Sequence, residues 1–428
     1  MQKDVRRVLK DVFGFNSFRK GQEEIILNLL KKRDVLSIMP TGSGKSLCYY
    51  IPAILQKGLT LVVSPLISLM YDQVNFLRKK NIRAQQLNSS LTKGMRIKIL
   101  NEVVDGKYKI LYVAPERLFN ESFLKFSKLM DISMVVVDEA HCISKWGHDF
   151  RPSYVKMFEF FDLLKKRPVF ACFTATATRY VREDILKYMK LKNPFCLVTG
   201  FNRENLFLDV IKTDEKYKIY KLLNLVEKIK EENIIVYCAT RRNVELIYKI
   251  FSEKMYSVAK YHAGLSLMQR KKSQYYFLSG EKNILVATNA FGMGVDKKDV
   301  RYIIHYNMPQ NIENYYQEVG RAGRDKKLSF CILLYSEYDV KINSFFIENI
   351  KNENLTEQEI EKIKLKNYDD LKIMIDFCRC SGCYKEYILK YFDEKIDSCG
   401  NCGNCFRKRK KFKIFYIFLN LIKKLKGD

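Results

Sequence analysis

The octapeptide Met39-Pro40-Thr41-Gly42-Ser43-Gly44-Lys45-Ser46 constrains the fold of this chain more than any other stretch. It follows a short apolar run, Val35 to Met39, and precedes a helix-compatible run from Leu47 onward. A strand, a glycine-rich turn and a helix in that order make a phosphate-binding loop, or P-loop. Gly42 and Gly44 allow backbone conformations closed to other residues. Successive N–H groups from Thr41 through Ser43 to Ser46 can then converge on a triphosphate at the positive end of the helix. Lys45 would reach the outer phosphates, and the Ser46 hydroxyl would take magnesium. Pro40 stands where the commonest form of the loop has glycine.

A second stretch completes a hydrolytic pair. Ser133-Met134-Val135-Val136-Val137 reads as a buried strand and ends in Asp138-Glu139-Ala140-His141. Acidic side chains thus fall where a strand's carboxyl end faces the P-loop. Asp138 is the expected magnesium partner, and Glu139 can polarise the attacking water. Upstream, Phe13-Gly14-Phe15 and Phe18-Arg19-Lys20-Gly21-Gln22 precede a helical pattern. Gln22 offers a donor and an acceptor for the edge of adenine, and Phe15 offers a ring to stack on the base.

The apolar runs predict the architecture. Val35–Met39, Leu59–Val63, Lys109–Val113, Met134–Val137 and Val169–Phe173 are apolar almost throughout and mostly separated by helical patterns. That pattern is a parallel sheet covered on both faces, whose carboxyl ends line one crevice. It restarts with Phe207–Ile211, Ile234–Cys238, Ser257–Tyr261, Ile284–Thr288, Tyr302–His305 and Phe330–Leu334, without a second P-loop. Two α/β lobes sharing one phosphate loop are expected to hold the nucleotide between them. Arg321 and Arg324, three apart on one face of a helix or turn, are placed to meet its terminal phosphate. The predicted boundaries are 1–202 and 203–342 for the lobes, 343–406 for a small helical region and 407–428 for a tail.

Charge points to the partner. With 76 basic against 48 acidic side chains, the formal net charge is +28, and a polyanion, nucleic acid first, is the natural counterpart. The first residues carry no apolar core of a signal peptide, and no apolar run approaches the ~20 residues of a membrane span. A soluble, cytoplasmic protein without a membrane partner is predicted, nucleoid-associated if the source is prokaryotic.

Of the 12 cysteines, half lie scattered in apolar surroundings. The others crowd between Cys378 and Cys405, where Cys399, Cys402 and Cys405 form two overlapping C-x-x-C knuckles. Four thiolates satisfy a closed tetrahedral zinc site. Cys378, Cys380 and Cys383 compete for the fourth place. Cys383 is preferred because it opens the predicted helix Tyr384–Phe392, and a helix amino terminus stabilises a thiolate.

From about Val5 to Cys405 these residues resemble the RecQ family of superfamily 2 DNA helicases. The resemblance lies in the P-loop, the Asp-Glu-Ala-His box and the segment from Phe13 to Gln22. Ser64-Pro65-Leu66-Ile67-Ser68-Leu69-Met70 and Tyr261-His262-Ala263-Gly264-Leu265 carry it further, as do Ala290 to Asp296 and Gln317 to Arg324. Most specific are the cysteine cluster and the aromatic-rich run His141 to Pro152, which holds Trp146, Phe150 and Arg151. Aromatic and basic side chains directly after the acidic box can grip a single strand while touching the hydrolysis site.

The resemblance implies two tandem RecA-like lobes followed by a helical zinc-binding subdomain. It implies ATP-driven translocation 3′ to 5′ along single-stranded DNA, strand separation at a 3′-tailed duplex, and ATP, Mg²⁺ and Zn²⁺ as cofactors. A role in repair or recombination follows, with further repair proteins as unidentified partners. Phe15, Arg19 and Gln22 would hold adenine, and Asp296 would join them at the nucleotide. Lys45, Ser46, Asp138 and Glu139 would run hydrolysis, and Gln317, Arg321 and Arg324 would complete the cleft, with Arg324 as arginine finger. Ser64, Trp146, Phe150, Arg151 and Thr288 would contact DNA. The departures are Tyr384-Lys385 after the first zinc cysteine, Asp393 in a Phe-Gly-Glu position, and an ending at Asp428. The winged-helix and small helical domains common in the family are expected to be missing, with Phe412 to Leu425 as the stump of the former. The alternative is a DNA-stimulated ATPase that remodels or recruits without processive unwinding. A DEAH-type RNA helicase would lack the aromatic run and the cysteines.

Overall fold

Short apolar segments of the first half lie side by side in a 7-stranded sheet. They are β1 (Val35–Ile38), β2 (Leu59–Val63), β3 (Ala84–Leu87), β4 (Ile110–Val113), β5 (Ile132–Val137), β6 (Val169–Thr174) and β7 (Phe195–Val198). The order is β3-β4-β2-β5-β6-β1-β7, and every pairing is parallel. The computed structural model describes residues 1–88, 91–144, 151–292, 297–351 and 356–409. It divides into two compact units, Met1–Phe201 and Asn202–Asp428.

In the first unit β1, β2 and β4 are buried along their whole length, as strands covered by helices on both faces must be. Helix Lys45–Leu55 covers one face with Tyr49, Tyr50, Ile51 and Ala53. The backbone ladder runs past the strand ends. Met39 N donates to Thr174 O, Ser64 N to Val113 O and Asp138 N to Val63 O. The P-loop, the Ser64 loop and the acidic box therefore leave the sheet on the same edge. β3 was not anticipated. Its Ala-Gln-Gln-Leu sequence alternates between buried ends and half-exposed glutamines, as an edge strand does.

The second unit repeats the plan with β8 (Leu206–Lys212), β9 (Ile234–Tyr237), β10 (Val258–Tyr261), β11 (Ile284–Ala287), β12 (Tyr302–His305) and β13 (Ser329–Tyr335). Its order is β10-β11-β9-β12-β13-β8, again all parallel. A buried ion pair ties its first helix to the chain that follows β13. Lys218 and Asp339 are both 0% exposed, with Lys218 Nζ 2.7 Å from Asp339 Oδ1 and 3.1 Å from Ser336 Oγ. Asn307 Nδ2 donates to the same Asp339 oxygen at 2.9 Å, so the buried charge is fully surrounded by partners.

Helices Glu337–Glu348, Glu357–Arg379, Tyr384–Tyr391 and Gly403–Lys408 form the region that follows. It docks on β8. The Phe406 ring lies 5.6 Å from Phe207, Arg407 Nη2 is 2.7 Å from Asp209 Oδ1, and Lys385 Nζ donates to Glu204 O at 3.1 Å. No described helix is long and apolar enough to cross a membrane.

Candidate active site and metal centre

The P-loop joins β1 to helix Lys45–Leu55, with Gly42 at φ 77° and Gly44 at φ 85°, both in the left-handed region. A Cβ on Gly44 would sit 2.6 Å from Gln22 Nε2, so the position excludes a side chain on two grounds. Gln22 is 2% exposed, and its amide lies on the loop. Nε2 donates to Ser43 O at 3.0 Å and Gly44 O at 3.2 Å, while Oε1 accepts from Arg19 N at 2.9 Å. The Arg19 guanidinium donates to Gly42 O. Gln22 and Arg19, expected at adenine, here hold the backbone of the phosphate loop, and Phe15 stands 53% exposed beside them in sequence.

The acidic box follows β5, which is separated from β1 in the sheet by β6. Lys45 lies within electrostatic reach of both Asp138 and His141. Asp138 is half-buried, and the loss of solvent around it, together with the neighbouring Glu139 carboxylate, pushes its carboxyl up to about 7. Lys45 and the Glu139 N–H, 3.1 Å from Asp138 Oδ1, work the other way. The Tyr49 and Tyr50 hydroxyls flank Ser46 and share Tyr112, at 3.3 and 3.1 Å. Ser43 Oγ and Glu139 Oε2 are buried without a hydrogen-bond partner among the described residues, and Glu139 Oε2 lies 3.4 Å from His141 Nδ1. A carboxyl burdened by burial and a second carboxylate, facing a lysine and orphaned oxygens, is what a triphosphate with a divalent cation would relieve.

His141 is the part that sequence reasoning left without a role. Burial first, then Lys45 and Arg151, lower its pKa to about 3, so the ring is neutral. Its Nδ1 lies 2.9 Å from Thr174 Oγ1, and that hydroxyl donates to Thr176 O at 2.9 Å. Thr174 has one proton, so Nδ1 must carry the hydrogen. The acidic box is thereby linked to the Thr174-Ala175-Thr176 turn at the end of β6.

Ser64, 0% exposed, directly follows β2, and its Oγ has no hydrogen-bond partner among the described residues. Arg151 Nη1 donates to Pro65 O at 3.2 Å, which brings these two expected DNA contacts together. Trp146, Phe150 and Asp296 lie outside the described residues, as do 410–428. In the second unit Thr288 follows β11 and its Oγ1 accepts from Ala290 N at 3.4 Å. Gln317 lies on helix Ile312–Val319, while Arg321 and Arg324 occupy the turn beyond it. Arg321 is 7% exposed and donates to Gly292 O.

The Sγ atoms of Cys383, Cys399, Cys402 and Cys405 all lie within 4.8 Å of one another. The Cys402–Cys405, Cys402–Cys383 and Cys399–Cys405 separations are 3.4, 3.9 and 3.9 Å. A tetrahedral zinc with bonds of about 2.3 Å has sulfur edges of about 3.8 Å, so the four thiols fit that ion. N–H groups of Glu386 and Cys399 point at Cys383 Sγ, and that of Asn401 at Cys399 Sγ. Bonding from Cys399 and from backbone N–H groups holds the Cys402 thiol well below the usual thiol range. Cys378 and Cys380 fall outside the cluster. Cys378 is buried against other neighbours, with its pKa raised, and Cys380 Sγ is near Gly382 O.

Family models match in three places. DEAD/DEAH box helicase covers residues 19–184, helicase conserved C-terminal domain 217–326, and RecQ zinc-binding 337–406. The ATP-dependent DNA helicase RecQ of Bacillus subtilis is 42% identical over 92% of this chain and 65% of its own length. The probable ATP-dependent DNA helicase RecS of the same organism is 41% identical over 84% of this chain and 72% of its own. The chain thus spans 60 to 65% of the length of several RecQ relatives. Among solved structures, the DUF1998 helicase MrfA bound to DNA and AMPPNP superposes with a TM-score of 0.66 at 18% identity, covering 85% of this chain and 56% of that one. That likeness speaks to the fold.

Proposed function

The chain belongs to the RecQ family of helicases, and from that premise we propose that it is an ATP-dependent DNA helicase moving 3′ to 5′ on single-stranded DNA. One observation carries the reading: four gathered thiols inside the RecQ zinc-binding segment share a chain with a P-loop whose lysine lies within electrostatic reach of a half-buried acidic box. Lys45 and the N–H groups of the loop would hold the phosphates. Magnesium, taken by Ser46 and Asp138, would neutralise phosphate charge. Glu139 would orient the attacking water and take its proton. Neutral His141 would pass the state of that box to the end of β6. Arg321 and Arg324, with Gln317, would complete the site from the second unit, and Arg324 would act as the arginine finger. Phe15, Arg19, Gln22 and Asp296 would bind the nucleoside. Ser64, Trp146, Phe150, Arg151 and Thr288 would bind DNA, which sets the place of action at the cell's DNA, at the nucleoid in the cytoplasm if the source is prokaryotic.

The test is strand displacement on a 3′-tailed duplex, a 5′-tailed duplex and a blunt duplex, with and without ATP. Displacement of the 3′-tailed substrate alone, and only with ATP, is expected. Lys45→Ala should abolish DNA-stimulated hydrolysis while leaving oligonucleotide binding within about threefold, because the lysine serves phosphates of the nucleotide. A Lys45→Ala variant turning over at the wild-type rate would sink the assignment.

A further inference from the structure

Helix Ile312–Val319 carries Gln317 and leads directly into the turn of Arg321 and Arg324. Three of its other side chains reach into the helical region that holds the thiol cluster. The Tyr315 ring lies 5.2 Å from Phe377, and the Tyr316 ring meets Phe392 edge-on at 5.2 Å. The third is Glu313, 4% exposed, whose Oε1 accepts from the Tyr391 hydroxyl. Tyr391 closes helix Tyr384–Tyr391, and the residue that caps the other end of that helix is Cys383.

As a device for stability this link is poor. Glu313 Oε2 is buried with no hydrogen-bond partner among the described residues. Burial, and then the Asp370 carboxylate on helix Glu357–Arg379, raise the Glu313 pKa to about 7, against the opposing pull of Tyr391 and Lys366. A buried polar atom left unpaired destabilises the fold, and an apolar pair of the same shape would avoid that loss. Tyr315 and Tyr316 already supply the packing. What the carboxylate adds is a directional bond between two helices, with a second acceptor oxygen ready if the helices slide.

We propose that Glu313 and Tyr391 are positioning residues whose hydrogen bond carries the state of the zinc-binding region to Gln317, Arg321 and Arg324, and so sets the rate of hydrolysis on DNA. The inference rests on the helicase reading above and deepens it by naming the route. A shift of helix Tyr384–Tyr391 pulls on the first turn of helix Ile312–Val319, and Gln317 and the arginine turn move with that short rigid rod.

Tyr391→Phe removes the donor and keeps the ring. The full chain, as wild type, Tyr391→Phe, Glu313→Gln and the double variant, is assayed for ATP hydrolysis with and without a saturating single-stranded oligonucleotide. Zinc content, oligonucleotide affinity and melting temperature are measured on the same samples. Tyr391→Phe is expected to lower DNA-stimulated kcat about fivefold or more, with KM for ATP, basal rate, zinc content and oligonucleotide affinity held within about twofold. Glu313→Gln, which still accepts through Oε1, should keep most of the stimulated rate, and the double variant should be no slower than Tyr391→Phe. A stimulated kcat unchanged by Tyr391→Phe overturns the inference while the helicase reading stands. So does a loss shared equally by basal rate, zinc content and melting temperature, which would make the contact merely structural. A wild-type chain without DNA stimulation defeats the helicase reading and this inference with it.

Discussion

Gln22 has both ends of its amide engaged, and this decides what its removal should do. Its two bonds to Ser43 O and Gly44 O fix the carbonyls of the loop, which leaves the intervening N–H groups turned toward the phosphate position. Gln22→Ala frees those carbonyls, and a net loss of about 1–2 kcal/mol in the formed loop corresponds to roughly a tenfold weaker grip on nucleotide. Equilibrium binding of a fluorescent ATP analogue checks this, and unchanged affinity would show the loop to be held by other means. Glu313 sets a pH dependence of stability. Its folded-state pKa is raised from 4.5 to about 7, chiefly by burial, so its stabilising contribution is full below 4.5 and is lost as pH rises through 7. The loss amounts to roughly 3 kcal/mol. Asp370, also raised by burial, acts in the same direction. Glu313→Gln should therefore melt close to wild type near about pH 5 and above it near about pH 8. A variant parallel to wild type across that range would place the titration elsewhere.

At the scale of elements, the zinc knuckle and β8 depend on each other. Gly403 opens helix Gly403–Lys408, and a Cβ there would strike the Asp209 carboxylate, which already pairs with Arg407. Gly403→Ala must break that pair or lift the knuckle, and a loss of about 2–4 kcal/mol is expected. Cys402→Ser or chelation should loosen the same region, with zinc lost at one ion per chain, while nucleotide-analogue binding to the first unit persists. Calorimetry with metal analysis checks both. These contacts also mark the limit of what the residues announce along the chain. Val35–Ile38, Ile234–Tyr237 and Tyr302–His305 declare themselves because a strand buried on both faces is apolar at most positions, with Ser37 and His305 the buried polar exceptions. Ala84–Leu87 does not, since an edge strand needs only its ends buried. The thiols are legible because metal geometry dictates their spacing. The Arg407–Asp209 and Tyr391–Glu313 pairs are not, because partners so distant in sequence leave no local pattern, and the bonds from Gln22 to the P-loop carbonyls are hidden for the same reason.

The whole molecule carries a net charge of +28, which governs how it meets a polyanion before any particular contact forms. Each phosphate neutralised on a single strand releases roughly 0.7 of a counterion, so the logarithm of affinity should fall linearly with the logarithm of salt concentration. The slope counts phosphate contacts and separates the residues by role. Arg151, beside the Ser64 loop, is assigned to DNA, so Arg151→Ala should flatten the slope by about 0.7 and weaken binding at low salt more than at high. Lys45 is proposed to serve the nucleotide, so Lys45→Ala should leave the slope unchanged although hydrolysis is gone. Fluorescence anisotropy of a labelled oligonucleotide over a salt series reads both. Equal slopes for wild type and Arg151→Ala would remove that residue from the backbone path, and a flattened slope for Lys45→Ala would mean that nucleic acid reaches the P-loop itself.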